Sequence, residues 1–519
     1  MVIDDFDQCL KTEWDVIVIG GGTVGIYFSV MMARMGKKVL VLEGGGRQLN
    51  EDLQSLNRTR QVGMPHTGST DARARAIGGT SLLWGGQLAK FSPRDLATNP
   101  QWLVSHEELS RYYDEVSEDL NVGSLRLGDN EIYERKYARN DNTGTIQIYY
   151  THWLKETNVA RYFAQDIHDH PNLSVALNVH VLHLRASCPS RTESVMLEVA
   201  GERKVLPVKG ANVVLANGTL EISRLLLLSA KYCPELGWSG NDNVGRYFQD
   251  HIDIDCGAVK VRNEKGFRQF FESSMIAGNK IQPRIRLNQD MLIREPGLIN
   301  VAGSLKFHSS LREDIDAIKV LVKSIGREGL GAILRFNGWS KLRSMFKVWF
   351  PLMKTYLRHR RIHQFWDGGV TLRGHMEQQP ERDSRLTLST TDVDRFGMPI
   401  LDVDWRVDWE TQLRGLKRYC DEVKRFFDDR GVAELQVSPL LLEQGEAYLR
   451  SQSRDSYHQC GGAVMGDSPE AGVVDRDLKV HGSDNTYVIG AAVFPSSSYA
   501  NPTLTAFALA KRLARHFCG

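Results

Sequence analysis

Residues 14–46 read WDVIVIGGGTVGIYFSVMMARMGKKVLVLEGGG. Asp15 to Ile19 is an apolar, β-branched run of strand length that stops at glycines. Gly20, Gly22 and Gly25 then fall on G-x-G-x-x-G. Tyr27 to Met35 has helical composition, Gly36 ends it, and Lys38 to Leu42 is a second strand closed by Glu43. The stretch predicts one βαβ unit with a nucleotide fingerprint in its first turn. Gly20 permits the tight turn, Gly22 lets backbone approach a pyrophosphate, and Gly25 lets the helix pack closely on the strand. The helix N-terminus offers free N–H groups and a partial positive charge that suit phosphates. Glu43, followed by Gly44, stands at the tip of the second strand. A carboxylate there accepts from a ribose and repels a 2′-phosphate, so FAD or NAD fits and NADP does not.

Around this unit the chain has 519 residues, long enough for two to four domains' worth of core. A hydrophobic share of 42% with 25% charged residues is that of a soluble globular protein. The net charge of +2 argues neither for nucleic acid nor for an acidic partner. Seven scattered cysteines without a C-x-x-C suit a reducing compartment and offer no metal site. MVIDDFDQCLKTEWD is acidic and lacks an apolar core, and no run of 18 apolar residues occurs, so a cytoplasmic location is expected.

Residues 76–95, AIGGTSLLWGGQLAKFSPRD, hold Gly78, Gly79, Gly85 and Gly86 around Thr80, Ser81 and Trp84. So many glycines beside two hydroxyls predict backbone lying against a ligand. Residues 101–120 read as a helix with Ser105 and Glu108 placed for a capping box. Residues 121–160 read as irregular, and Asn172 to Leu184 as one strand. Asn212 to Leu215 is a short strand leading through Ala216, Asn217 and Gly218 into a helix from about Leu220, a second βα unit able to face the dinucleotide. Residues 252–310 alternate like antiparallel strands, 311–366 read as mainly helical, 370–408 as strand, and 409–430 as an amphipathic helix. In the tail, Asn485 to Ile489 is a strand, Gly490 and Ala491 open a small-residue loop, and Asn501-Pro502 starts a last helix with Thr503 in its first turn. From Gly329 to Trp366 there is no Asp or Glu, while eight Lys/Arg interleave with aromatic residues. The ordinary reading is a basic outer helix face. A peripheral membrane contact through 335–361, or a phosphorylated substrate, is the sharper one.

These pieces in this order resemble the glucose-methanol-choline (GMC) family of FAD oxidoreductases. GGGTVG with Glu43, GGTS at 78–81, VVLANGTLEISRLLLLS at 213–229, NVGRYFQDH at 243–251, EQQPERDSRLTLS at 377–389 and the tail from His458 carry the resemblance. It implies a mixed α/β fold. A Rossmann-like FAD-binding domain (1–100, 165–251 and 455–519) would be interleaved with a substrate-binding domain of antiparallel sheet plus helices (101–164 and 252–454). Trp84 resembles the bacterial sugar-dehydrogenase and pyranose-oxidase-like branch. Some members of that branch attach FAD through a histidine just before this Trp; here the position is Leu83, which implies non-covalent FAD. The expected FAD contacts are then Gly20, Gly22, Thr23, Val24, Gly25, Glu43 and Gly44 from the first unit. Gly79, Thr80, Ser81, Trp84, Gly85 and Gly86 come from the second stretch, with Val181 resembling the position whose backbone meets the adenine. Ala216, Asn217 and Gly218, then Gly490, Ala491, Asn501, Pro502 and Thr503, complete the set.

The family's catalytic pair is His-His or His-Asn; here it corresponds to His458 with Asn501. Taking a hydroxyl proton suits neutral imidazole, the base that titrates nearest working pH. Asn501 would orient the same hydroxyl, or simply cap the helix, and the helix from Pro502 would favour negative charge on the reduced flavin. Asp250 and His251 read as structural, and Gln87 as a substrate-pocket candidate. The resemblance therefore implies oxidation of a small-molecule alcohol, most readily a sugar or glycoside, with an unassigned electron acceptor and no nucleic acid or metal. The alternatives are a non-sugar alcohol, or a lyase on the same fold using FAD only structurally.

Overall fold

The computed structural model describes residues 2–3, 6–318, 347–351, 353–354, 357 and 366–519. Val16–Ile19 and Val39–Glu43 are buried at every position, so both faces of the strands they form are covered. They lie at the centre of a six-stranded, all-parallel sheet ordered Val2–Ile3, Leu173–Leu177, Val39–Glu43, Val16–Ile19, Asn212–Leu215, Thr486–Val488. Strands from the start, middle and end of the chain thus finish along one edge, where Gly20, Gly44, Ala216 and Gly490 follow them. In an open parallel sheet that carboxyl edge is where ligands bind.

Helix Thr23–Arg34 covers this sheet, and the terminal helix Thr503–His516 packs beside it. The Tyr27 and Phe507 rings meet at 4.8 Å. The Tyr27 hydroxyl and Lys511 Nζ both donate to Asp119, at 2.6 and 2.8 Å, from the nearly buried side of helix His106–Asp119. The chain's tail is therefore clamped to its first βαβ unit.

The second large sheet is antiparallel. Its main path runs Ala433–Val437, Ile252–Val261, Val370–Met376, Val301–Phe307, Asn279–Leu287, Ile146–Trp153, Gln87–Leu88. Helix Trp409–Asp429 buries Leu416, Tyr419, Val423 and Phe427 against it. The fold is mixed α/β. Gln87–Leu88 and Thr59–Gln61, both within 1–100, pair with strands of the other segment, so the two parts are laced together.

Three sequence expectations change. Asn172 to Leu184 is two strands, Leu173–Leu177 and Val179–Arg185, in different sheets; Asn178 breaks them at φ +56°, a left-handed conformation that asparagine tolerates. Residues 121–160 are not irregular: they contain helix Asp129–Tyr137 and strand Ile146–Trp153. Ser105 accepts from Glu108 N at 3.2 Å, half of a capping box. Most of the basic stretch, including Arg335, Lys341, Arg343, Arg358, Arg360 and Arg361, lies outside the described residues, as does most of the helix expected over 311–366. No helix among the described residues is long and apolar enough to cross a membrane.

Candidate active site

A cavity of about 590 Å³ opens along the carboxyl edge of the parallel sheet. Of the residues singled out for the cofactor, Gly20, Gly22, Thr23, Val24, Glu43, Gly44, Gly79, Thr80, Trp84 and Gly85 line it. So do Val181, Ala216, Asn217, Gly218, Gly490, Ala491, Asn501, Pro502 and Thr503, together with Gln87 and His458. Gly25, Ser81 and Gly86 stand outside this lining. A Cβ on Gly25 would lie 2.1 Å from Gly20 O, which is the price of close helix–strand packing. Ser81 Oγ donates to Gly78 O at 2.6 Å and accepts from Val159 N at 3.1 Å. Gly86 sits at φ +72° with a Cβ position 2.7 Å from Thr157.

The lining fits a dinucleotide. Gly218 and Gly490 adopt φ +86° and +111°, and their missing Cβ atoms would meet nothing within 4 Å, so side chains would occupy cavity space. The Asn217 Oδ1 atom is buried without a partner among the described residues. Thr23 and Thr80 hydroxyls meet at 3.2 Å. The two Glu43 oxygens accept from Gly21 N at 2.8 Å and Gly45 N at 2.7 Å, tying the glycine turn to the second strand. Burial raises its carboxyl; those two N–H groups and Arg75 pull it back.

Arg73, Arg75, Glu221 and Arg224 also line the cavity, and sequence reading missed them. Glu221 meets Arg73 at 2.8 Å, Arg75 at 3.0 Å and Arg224 at 3.5 Å. Burial would raise its carboxyl, but the guanidiniums of Arg75, Arg224 and Arg73 together hold it below the usual range. The alternating RAR of 73–75 was the available signal.

His458 and Asn501 stand together in the same lining. Asn501 Nδ2 donates to His458 Nε2 at 3.1 Å, so its side chain engages the imidazole rather than capping the helix. Tyr457, immediately before the histidine, is 53% exposed and held at φ +67°, strain of the kind that collects at functional sites. His458 N donates to Asp250 Oδ1 at 2.9 Å. His458 Nδ1 lies 2.9 Å from His251 Nδ1 and 3.2 Å from Ser456 Oγ. Burial, then His251, His375 and Arg284, hold the His458 pKa well below its ordinary value, so the ring is neutral near pH 7. His251, expected to be structural, thus touches the candidate base directly. Strand pairing puts it there: Ile252 is in register with Asp455 on one side, and Asp253 with His375 on the other.

A dinucleotide cavity on a parallel sheet, with a neutral imidazole and a carboxamide converging on it, defines the class as a flavoprotein-type oxidoreductase. Residues 380–510 match the family described as GMC oxidoreductase. Paromamine 6'-oxidase of Streptomyces fradiae is 24% identical over 98% of this chain and 91% of its own length. The fructose dehydrogenase large subunit of Gluconobacter japonicus is 27% identical over 30% of this chain and 26% of its own. Among solved structures, pyridoxine 4-oxidase from Mesorbium loti superposes with a TM-score of 0.56 at 16% identity, covering 97% of this chain and 99% of that one. A fungal aryl-alcohol oxidase gives 0.59 at 14% identity, covering 98% and 99%. The C-terminal part of the chain, residues 380–510, is thus a GMC oxidoreductase domain.

Proposed function

We propose that this enzyme oxidises a hydroxyl of a sugar or glycoside, with His458 as general base and Asn501 as the orienting group. The observation that carries the reading is the 3.1 Å contact between Asn501 Nδ2 and His458 Nε2 on the cavity wall. FAD, when bound, supplies the acceptor for the carbinol hydride. The chain's own residues then have three tasks. His458 Nε2 takes the hydroxyl proton, and its lowered pKa keeps the lone pair available at neutral pH. The Asn501 amide fixes the hydroxyl oxygen in line with that nitrogen without titrating. The amides at the start of helix Thr503–His516, with Pro502 and Thr503 in the lining, favour negative charge at the cofactor.

The sugar assignment draws on the GGTSLLWGG stretch and the full-length likeness to paromamine 6'-oxidase. A polar wall group agrees: Gln87 Oε1 accepts from Arg284 Nη2 at 2.7 Å. Leu83 offers no atom for a covalent flavin link, so FAD is held non-covalently. The FAD-binding and substrate-binding segments divide as 1–100, 165–251 and 455–519 against 101–164 and 252–454. Seven free cysteines fit a reducing compartment.

Purified yellow enzyme mixed anaerobically with paromamine, D-fructose, D-glucose, choline and benzyl alcohol tests this. Bleaching of the flavin by a saccharide is the expected result. Bleaching by choline or benzyl alcohol alone moves the substrate to a non-sugar alcohol. An oxidised flavin with every alcohol, FAD remaining bound, favours the lyase reading.

A further inference from the structure

The strongest unassigned feature is a chain of hydrogen bonds that begins at a main-chain carbonyl and ends at the candidate base. Ser497 O lies 3.0 Å from His251 Nε2. A carbonyl only accepts, so Nε2 must carry the hydrogen. His251 is 1% exposed, and burial, then the neighbouring His375, push its pKa down to about 3, so the ring is neutral. A neutral imidazole has one N–H, which leaves His251 Nδ1 as a bare acceptor. That acceptor faces His458 Nδ1 at 2.9 Å. Two ring nitrogens at that separation need one hydrogen between them, and only His458 Nδ1 can supply it.

Ser456 is compatible with the same arrangement. Its Oγ lies 3.3 Å from Asp250 Oδ1 and 3.2 Å from His458 Nδ1. The carboxylate accepts the hydroxyl hydrogen, which turns an oxygen lone pair toward Nδ1. Both neighbours of that nitrogen are therefore acceptors. Asn501 Nδ2, a donor, then faces an Nε2 that has no hydrogen of its own. His375 does not compete for the role. Its Nδ1 is bound to Asp253 at 2.5 Å, and its ring stands nearly perpendicular to both others, at 76° and 87°.

We infer that His251 is a positioning residue that locks His458 as the Nδ1–H tautomer, holding the Nε2 lone pair toward Asn501 and the substrate hydroxyl. This rests on His458 being the base, and it explains how a neutral ring is kept in the one tautomer able to act. The opposite tautomer would turn an N–H toward the hydroxyl and the Asn501 amide, and no proton could be taken. The chain also has a dead end. A proton accepted at Nε2 cannot pass through His251 to solvent, because Ser497 O closes the path.

The test reads the tautomer directly and needs no substrate. Deuterated holoenzyme labelled with [15N]histidine is studied by long-range 1H–15N ring correlations, with His458 assigned by its loss in His458→Gln. We expect a protonated Nδ1 and a bare Nε2 in the wild type. His251→Asn, whose amide can donate to Ser497 O and accept from His458, should keep that pattern; His251→Leu should show mixed tautomers. With the panel alcohol that reduces the wild type fastest, the Leu variant should lose on the order of 10²-fold in reduction rate with FAD retained, and the Asn variant much less. A wild-type His458 carrying its hydrogen on Nε2 overturns the inference, as does an unchanged tautomer in His251→Leu, or equal losses in both variants. If the Leu variant does not fold, the wild-type and Asn spectra still decide. A correct tautomer combined with full activity in His458→Ala would instead remove the base assignment and leave the lock standing.

Discussion

Replacing Glu43 with glutamine separates two roles for this carboxylate, ribose contact and loop clamp. Both oxygens are committed to backbone amides, Gly21 N at 2.8 Å and Gly45 N at 2.7 Å, and the residue is 7% exposed. Glutamine has the same shape but one acceptor oxygen, so one of the two amides must face the NH2 group. A buried N–H left without a partner costs about 1–3 kcal/mol, and the lost bond is a charge-assisted one. The turn it distorts is the wall against which the dinucleotide is expected to lie, so the cost falls largely on cofactor affinity. At 1.4 kcal/mol per tenfold, the FAD Kd should rise roughly 5- to 150-fold. Titration of apo-protein with FAD, followed by quenching of flavin fluorescence, measures it. Wild-type affinity in Glu43→Gln, with an unchanged Tm, would refute the clamp.

Gly25→Ala should lower Tm and yield protein poor in FAD, because the new methyl would sit 2.1 Å from Gly20 O and 3.1 Å from the Ala216 Cβ; overpacking of this kind costs about 1–3 kcal/mol. A stable, fully yellow variant would contradict the packing argument. Asn501→Ala should keep FAD but slow anaerobic reduction on the order of 10- to 100-fold, since the hydroxyl loses its orienting donor; an unchanged rate returns Asn501 to a purely structural role. Stability should fall on mild acidification. His251 and His152 are both pushed down to about 3, by burial first, against about 6.5 when unfolded. Because the folded pKa is the lower one, the unfolded chain takes protons first. Stability is therefore full above about pH 6.5 and is lost from there toward pH 3, on the order of 1 kcal/mol per pH unit for each ring. Urea unfolding at pH 7 and pH 5 measures this, and equal midpoints would contradict it.

The dinucleotide half was legible because its signals are local. An all-apolar strand, three glycines and an acid report a βαβ unit without reference to the rest of the chain. His458 and Asn501 could be read only through their motifs, but the tail that carries both is continuous. What escaped was made by register between distant strands. His251 meets His458 because Ile252 pairs with Asp455, and no spacing within either segment shows that. Glu221 with Arg73 and Arg75 escaped because a helix and a loop about 150 residues apart share one carboxylate. The packing of Ser81 and Gly86 against Val159 and Thr157 also joins segments distant in sequence, so the glycine-rich stretch alone did not show it. The single strand read over 172–184 failed at Asn178, where a left-handed residue sends the chain into another sheet.

The central claim is that the imidazole of His458 takes the substrate's proton. Rapid anaerobic mixing of His458→Ala with the alcohol that reduces the wild type fastest, followed at the flavin absorbance maximum, tests it most directly. The account predicts a yellow, FAD-replete variant whose reduction is slowed on the order of 10²- to 10⁴-fold. Reduction at the wild-type rate would contradict it.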